Sequence, residues 1–356
     1  MVAMSGGVDS SVAAFLLKEQ GYDCAGATMK LFGNKGVGLD PDDVCCSARD
    51  AEDARRVAGR LGMPHFVFDM SREFEECVIG KFVAEYIAGR TPNPCVDCNR
   101  RLKFERLLGK AVAAGFGLIA TGHYVRVEHD FAGRHLLRKA ADESKDQSYV
   151  LYSMTQEALA RAIFPLGGLR KPEVRKIAET QGFRNAAKRE SQDICFVPGG
   201  DYADFITMRT GRHFEAGDFL DESGNILGTH KGVVHYTIGQ RRGLGMGFSK
   251  RKYVVSKDAA GNTVTLGDRD SLYVKSLCAD DINLIATGAF SGTIRVTARV
   301  RYRQKEAPAI AEMTGDDMIR VEFETPQPAV APGQAVVLYD GDVVFGGGTI
   351  KETRIS

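Results

Sequence analysis

The stretch SGGVDSS, residues 5–11, constrains this chain more than any other. It lies between a scrap of apolar residues, VAM, and the apolar run VAAFLL. Two adjacent glycines between a strand and a helix make a tight turn. Such a turn aims backbone N–H groups and the positive end of the helix at an anion. Gly6 and Gly7 let the main chain approach that anion closely, and Ser5, Ser10 and Ser11 can donate hydroxyls. Asp9 can hold Mg²⁺ or orient its waters. No lysine follows the glycines, so this is not the G-x-x-x-x-G-K-[ST] phosphate loop. The bland alternative is a glycine turn with no ligand.

A strand–loop–helix opening predicts more of the same, and the first 200 residues alternate in that manner. VAM reads as the tail of a strand, short enough that the start of the strand looks clipped, and residues 10–19 read as a helix. DCAGATMKLF is a second strand. Ser47 caps a helix with apolar positions Ala51, Ala54, Ala58 and Leu61 at 3.6-residue spacing. HFVFDM is a third strand and GLIATGH a fourth, with helices expected over 71–87 and 104–114. The fold class is α/β, with a parallel sheet covered on both faces. Ligands of such sheets bind at the carboxyl ends of the strands, where the opening loop, Met29 and Gly122 all fall.

At 356 residues two or three domains are expected. After about residue 205 the long helical periodicity stops, and DESGN, DAAGN and YDGD read as hairpin turns. We divide the chain into an α/β domain over 1–205, a small glycine-rich, basic central domain over 206–275, and a C-terminal antiparallel β-barrel over 276–356. The chain carries 47 Lys and Arg against 46 Asp and Glu. Any polyanion must therefore be met by local patches. One is TIRVTARVRYRQK, residues 293–305, where Arg295, Arg299, Arg301, Arg303 and Lys305 alternate with apolar residues. On a strand this puts the cations on one face, either as a solvated surface or as a phosphate-binding one. Arg241, Arg242, Lys250, Arg251 and Lys252 form a second patch. No apolar stretch approaches a membrane-spanning length, and the reading is cytoplasmic.

Two cysteine-bearing segments complete the pattern. In TPNPCVDCNRRLKF, residues 91–104, Cys98 sits just before a helix expected to start at Asn99, beside Arg100, Arg101 and Lys103. A helix amino end and nearby cations both favour thiolate over thiol. In ESQDICFVPGGDY, Cys195 lies in a short apolar strand, which by itself reads as core. The eight cysteines are core residues or reactive thiols rather than a disulfide framework.

The opening loop resembles the SGGxDS signature of the N-type ATP pyrophosphatases, the PP-loop superfamily. Over essentially its full length the chain resembles the bacterial tRNA-specific 2-thiouridylases (the MnmA/TrmU family), through AMSGGVDSSVAA, TPNPxxxCNxxxKF, ATGHY, KDQSYVL, SQDICF, YTIGQRRGLG and RVRYRQ. The resemblance implies ATP bound by Ala3, Met4, Ser5, Gly6, Gly7, Val8, Asp9 and Ser10, with Met29 and Gly122 near adenine and ribose. It implies Asn93, Pro94 and Cys95 beside the target base, Cys98 as nucleophile and Cys195 as the persulfide carrier, the two cysteines pairing in a transient disulfide. His123, Lys145, Asp146, Gln147, Tyr302, Arg303 and Gln334 match positions that contact tRNA. Implied with them are Mg²⁺, the anticodon stem-loop of a tRNA, a sulfur-carrier or persulfide-donor protein, and a monomer. Many family members carry aspartate where this chain has Cys95. The resulting C-x-x-C, with Cys195, raises an iron–sulfur cluster as the less favoured alternative. The rival functions are a small-molecule adenylating ligase that shares the loop and a non-catalytic RNA-binding module.

Overall fold

The computed structural model describes residues 1–32, 48–188, 194–197, 200–248 and 250–354. The expectations for Ser47 and for the SQD part of SQDICF lie outside the described residues, as do Cys45 and Cys46. The chain forms two compact units, the first built from 1–79, 95–200 and 342–344, the second from 80–94, 201–341 and 345–356.

The strands of the first unit include β1 (Val2–Ala3), β2 (Gly26–Lys30), β3 (His65–Asp69), β4 (Ile119–Ala120), β5 (Val125–His129), β6 (His135–Lys139) and β7 (Ala162–Ile163). β3, β2, β1, β4 and β7 make one parallel sheet in that order, with Val2 opposite both Gly26 and Ala120. Helix α1 (Val8–Glu19) leaves the end of β1, and α2 (Ala48–Arg60) runs between β2 and β3. Val12, Ala13, Ala14 and Leu17 of α1, Ala54, Val57 and Ala58 of α2, and Val174 and Ala178 of the helix Lys171–Thr180 share one buried core. The α/β expectation holds for this sheet. At its edge, β3 exposes Phe66 and Val67 among the described residues.

Two local expectations are corrected. The helix does not start at Asn99. It begins with Pro94–Asp97, passes into a π-helical stretch over Cys98–Leu107 and ends with Leu108–Ala113. Proline fits a first helical turn, which has no intrahelical acceptor for its N–H, so the TPNP run starts the helix rather than holding a loop away from it. Cys195 is not in a strand either. Ile194–Val197 is a turn closed by the Val197 N–H donating to the Ile194 carbonyl at 2.9 Å.

In the second unit, β8 (Gly217–Leu220), β9 (Ile226–His230), β10 (Tyr253–Asp258) and β11 (Thr263–Gly267) form a sheet in the order β10-β11-β8-β9. DESGN and DAAGN turn β8 into β9 and β10 into β11. β12 (Tyr273–Leu284), β13 (Thr293–Arg299), β14 (Ala307–Gly315), β15 (Met318–Pro328), β16 (Ala335–Asp340) and β17 (Val343–Arg354) follow as a barrel. The barrel closes where β12 pairs with β15 on one side and β17 on the other. Val296, Ala298, Phe323, Val336 and Leu338 are among the residues that fill it. The alternation read in TIRVTARVRYRQK holds only through β13, which stops at Arg299; residues 301–304 turn. Phe323 is fully buried. Phe323→Ala should cost about 3–5 kcal/mol of barrel stability, visible as an earlier urea midpoint.

Candidate active site

The site begins where β1 ends. Thr28 Oγ1 donates to the Met4 carbonyl at 2.8 Å and ties the exit of β1 to β2. Gly6 then takes φ +70°, a conformation that L side chains rarely adopt, and a Cβ there would collide with the Asp50 backbone. Gly7 is the N-cap of α1 and offers no side-chain acceptor to the first-turn N–H groups. The serines instead lock the turn: Ser10 and Ser11 hydroxyls donate to the Gly7 carbonyl at 3.1 and 3.0 Å. Ser10 Oγ also accepts from the Ser5 N–H at 3.2 Å. A first turn without a cap, held open by its own loop, is an anion site in waiting.

Gly122 follows β4 and faces this turn. A Cβ on it would lie 2.8 Å from the Asp9 carbonyl carbon and the Ser10 nitrogen, so only glycine fits. Met29, buried at the carboxyl end of β2, stands on the neighbouring strand. Three of the sequence-read pieces, the loop, Met29 and Gly122, therefore lie at the carboxyl edge of one sheet.

Four residues that sequence reasoning missed complete the loop's surroundings. Lys171 donates from Nζ to Asp9 Oδ1 at 2.7 Å and Oδ2 at 2.8 Å, and the Tyr124 hydroxyl donates to Oδ1 at 2.7 Å. Asn185 Nδ2 donates to the Gly6 carbonyl at 3.0 Å and Ser11 Oγ at 2.9 Å. Lys188 binds Asp50 at 2.5 Å and Asp53 at 3.2 Å. Burial pulls the Lys188 ammonium down, but the Asp50 and Asp53 carboxylates outweigh it and hold it above the ordinary lysine value. Tyr124 was within reach through ATGHY. Lys171 was not, since a lysine opening an amphipathic helix reads as surface charge.

Asn185 Oδ1 is buried with no hydrogen-bond partner among the described residues. A buried oxygen with no partner among the described residues, beside an uncapped helix end, fits a polar ligand at this place. Among the described residues, no three His, Cys, Asp or Glu side chains converge as a metal site.

The cysteine segments lie in the same unit. Cys95 is exposed, while Cys98 and Cys195 are half-buried. The Phe196 ring, next to Cys195, meets Phe74 edge-on at 5.7 Å. The segment Ser71–Phe74 also packs on the stretch that begins with Cys98. Lys103, read as a cation beside Cys98, turns elsewhere: Nζ donates to Asn99 Oδ1 at 2.9 Å and lies 3.4 Å from His123 Nε2.

His123 is buried, with Nδ1 2.6 Å from Thr121 Oγ1. Asp146 accepts from the Ala140 and Ser148 N–H groups and the Ser148 hydroxyl. Gln147 accepts from the Tyr124 N–H at 2.9 Å, and Lys145 stands half-buried beside them. In the second unit Tyr302 and Arg303 are exposed. Gln334 Nε2 donates to the Thr91 and Pro92 carbonyls at 3.0 and 3.3 Å, just before Asn93 and Pro94. The cation face is reduced. Arg301 donates to the Ala329 and Ile238 carbonyls, and Arg299 pairs with Glu306 and lies over the Tyr339 ring. The second patch opens on a cleft of about 710 Å³ lined by Arg241, Leu244, Met246, Phe248, Lys250 and Arg251.

An uncapped glycine loop at the carboxyl edge of a parallel sheet, followed in the chain by a small sheet and a closed barrel, has the build of a nucleotide-binding α/β protein with appended β modules. Comparison bears out that class: the tRNA methyl transferase HUP domain matches residues 1–199, the tRNA methyl transferase PRC-barrel domain 203–268, and the aminomethyltransferase β-barrel domain 274–350. The tRNA-specific 2-thiouridylase MnmA of Clostridioides difficile is 46% identical over 354 residues, 99% of this chain and 98% of that one. Its counterparts from Acetivibrio thermocellus and Halothermothrix orenii are 48% and 49% identical, each over 99% of this chain and 98% of theirs. The chain belongs to the tRNA-specific 2-thiouridylase family. Among solved structures, an NMN synthetase from Francisella tularensis superposes with a TM-score of 0.34 at 15% identity, covering 59% of this chain and 76% of that one, too slight a likeness to argue from.

Burial first, and the Lys103 charge second, hold the His123 imidazole well below its ordinary value. Below about pH 6.5 the unfolded chain takes up a proton that folded His123 refuses. Stability is therefore full above that pH and falls as pH drops through it, by up to about 1.4 kcal/mol per unit. Urea unfolding at pH 7.5 and 5.5 should show the fall, and His123→Asn should shrink it.

Proposed function

We propose that the chain makes 2-thiouridine in tRNA at the wobble position, spending ATP to activate the C2 oxygen and taking sulfur from a cysteine persulfide. The observation that carries this reading is the uncapped glycine turn of α1 in a chain that also retains both family cysteines, Cys98 and Cys195, in the same unit. The uridine C2 oxygen is a poor leaving group until it bears AMP. Residues 3–10 hold the pyrophosphate part of ATP, with Met29 and Gly122 toward adenine and ribose. Asp9 would hold or orient the Mg²⁺ that accompanies ATP, and such an ion would supply charge neutralisation at the departing pyrophosphate.

Cys195 carries the persulfide brought by a donor protein. Its outer sulfur attacks C2 and AMP leaves. Cys98 then attacks the inner sulfur of Cys195, the S–S bond to the transferred atom breaks, and the thiocarbonyl is released. This leaves a Cys98–Cys195 disulfide, which two external thiols, or one dithiol, must reduce, themselves ending as a disulfide. Asn93, Pro94 and Cys95 face the flipped base. His123, Lys145, Asp146, Gln147, Tyr302, Arg303 and Gln334 hold the anticodon stem-loop. Residues 1–205 carry the chemistry, and 206–275 and 276–356 carry the RNA. The enzyme works as a cytoplasmic monomer.

Labelled sulfur separates the cysteine roles. Cys195→Ser should take up no label from a persulfide donor, whereas Cys98→Ser should be labelled and yet form no 2-thiouridine. Equal labelling of wild type and Cys195→Ser would sink the assignment. The basic turn gives a second test, because Arg303 and Arg301 differ in what they touch. Arg303→Ala should reduce the salt dependence of tRNA binding by about one unit and leave melting unchanged. Arg301→Ala should lower the melting temperature, since two backbone carbonyls lose their donor.

A further inference from the structure

Lys103 carries a charge that the fold does not answer. It lies in the π-helical stretch Cys98–Leu107, a helix form that recurs at functional sites. Its Nζ donates to Asn99 Oδ1 at 2.9 Å and faces His123 Nε2 at 3.4 Å, and among the described residues no carboxylate pairs with it. Both partners are themselves fixed. Asn99 is buried, and its Nδ2 donates to the Val150 carbonyl at 3.2 Å. His123 is buried against Phe104 and Phe164, whose ring centroids lie 6.1 and 6.2 Å from its own.

An ammonium can only donate, so His123 Nε2 must accept from Lys103 and the ring proton must sit on Nδ1. There it donates to Thr121 Oγ1 at 2.6 Å. Burial keeps the ring from taking a second proton. Both ring nitrogens of His123 are then spent inside the protein, and an RNA that reaches this place meets the Lys103 ammonium instead. Two of its three N–H groups have acceptors, and the third has none among the described residues. Half-burying an ammonium among neutral groups costs desolvation that no counter-charge offsets. An anionic oxygen from outside would supply that charge in a strong hydrogen bond. In RNA such oxygens belong to the backbone phosphates. The helix of Lys103 also carries Cys95 and Cys98, the residues read as acting at the target base. We infer, resting on the tRNA reading above, that Lys103 is an RNA-contacting residue whose free N–H binds a phosphate flanking the target uridine.

Binding of anticodon stem-loop RNA, read by fluorescence anisotropy without ATP or a sulfur donor, tests this. Three RNAs are compared: one with natural phosphates, and two with a neutral methylphosphonate on the 5′ or the 3′ side of the target uridine. Lys103→Met should weaken the natural RNA by roughly tenfold to a hundredfold, the scale of a lost hydrogen bond to a charged group. Its salt dependence should fall by about one unit. One of the methylphosphonates should weaken wild type by a similar factor and leave Lys103→Met unaffected, since the two changes remove the same contact. Lys103→Arg should hold the natural RNA within a few-fold and stay sensitive to the same linkage, as a merely structural lysine would not require. Wild-type affinity in Lys103→Met, indifference of wild type to both linkages, or equal penalties in wild type and Lys103→Met would each overturn the assignment alone. A wild-type chain that bound no stem-loop would overturn the tRNA reading together with it.

Discussion

Gly122 presses against the first turn of α1 so closely that a single methyl group would have to displace the Asp9 and Ser10 backbone. This approach, with the Thr28 hydroxyl on the Met4 carbonyl, fixes where the N–H groups of that turn point. Asn185 and Lys188 then hold the outer side of the loop, and Asp9 becomes the meeting point of Lys171 and Tyr124. Remove the close approach and each of these contacts loses its reference. The geometry of the loop is thus set jointly by its own serines and by the neighbouring segments that carry Thr28, Gly122 and Asn185.

The parts legible in the sequence were those with a local physical cause. A glycine pair between apolar segments needs a strand before it and a helix after it, and the alternation that follows needs a parallel sheet. DESGN and DAAGN are turn sequences whatever surrounds them. Illegible were features decided by partners far away in the chain. Proline in TPNP was read as loop, and it starts a helix instead, because proline serves both purposes. ICFV has strand composition, but a turn hydrogen bond and the packing of Phe196 on Phe74 override it. Lys171 and Lys188 gave no signal because a charged residue at a helix boundary is common on any surface.

The alternating cations show the same division at finer grain. Period-two alternation did identify β13, and Val296 and Ala298 do fill the barrel. It could not tell a cation that reaches solvent from one spent inside the fold. Arg299 and Arg301 are engaged with Glu306 and with backbone carbonyls, while Arg303, on the turn that follows, is exposed. A count of basic residues therefore overstates the charge available to a polyanion.

Gln334 clasps the Thr91 and Pro92 carbonyls, the Thr91 N–H donates to the Pro332 carbonyl at 2.8 Å, and a Cβ on Gly333 would crowd the Thr91 nitrogen at 3.0 Å. Residues 80–94 belong with the barrel by packing, although three separate family models divide the chain by sequence order. The consequence is a limit on modularity. A barrel transplanted from a relative would have to bring a matching 331–334 loop, or the host's 91–92 segment would lose its anchor. Recombination between relatives should therefore succeed more often when the crossover keeps 80–94 and 331–334 from the same parent.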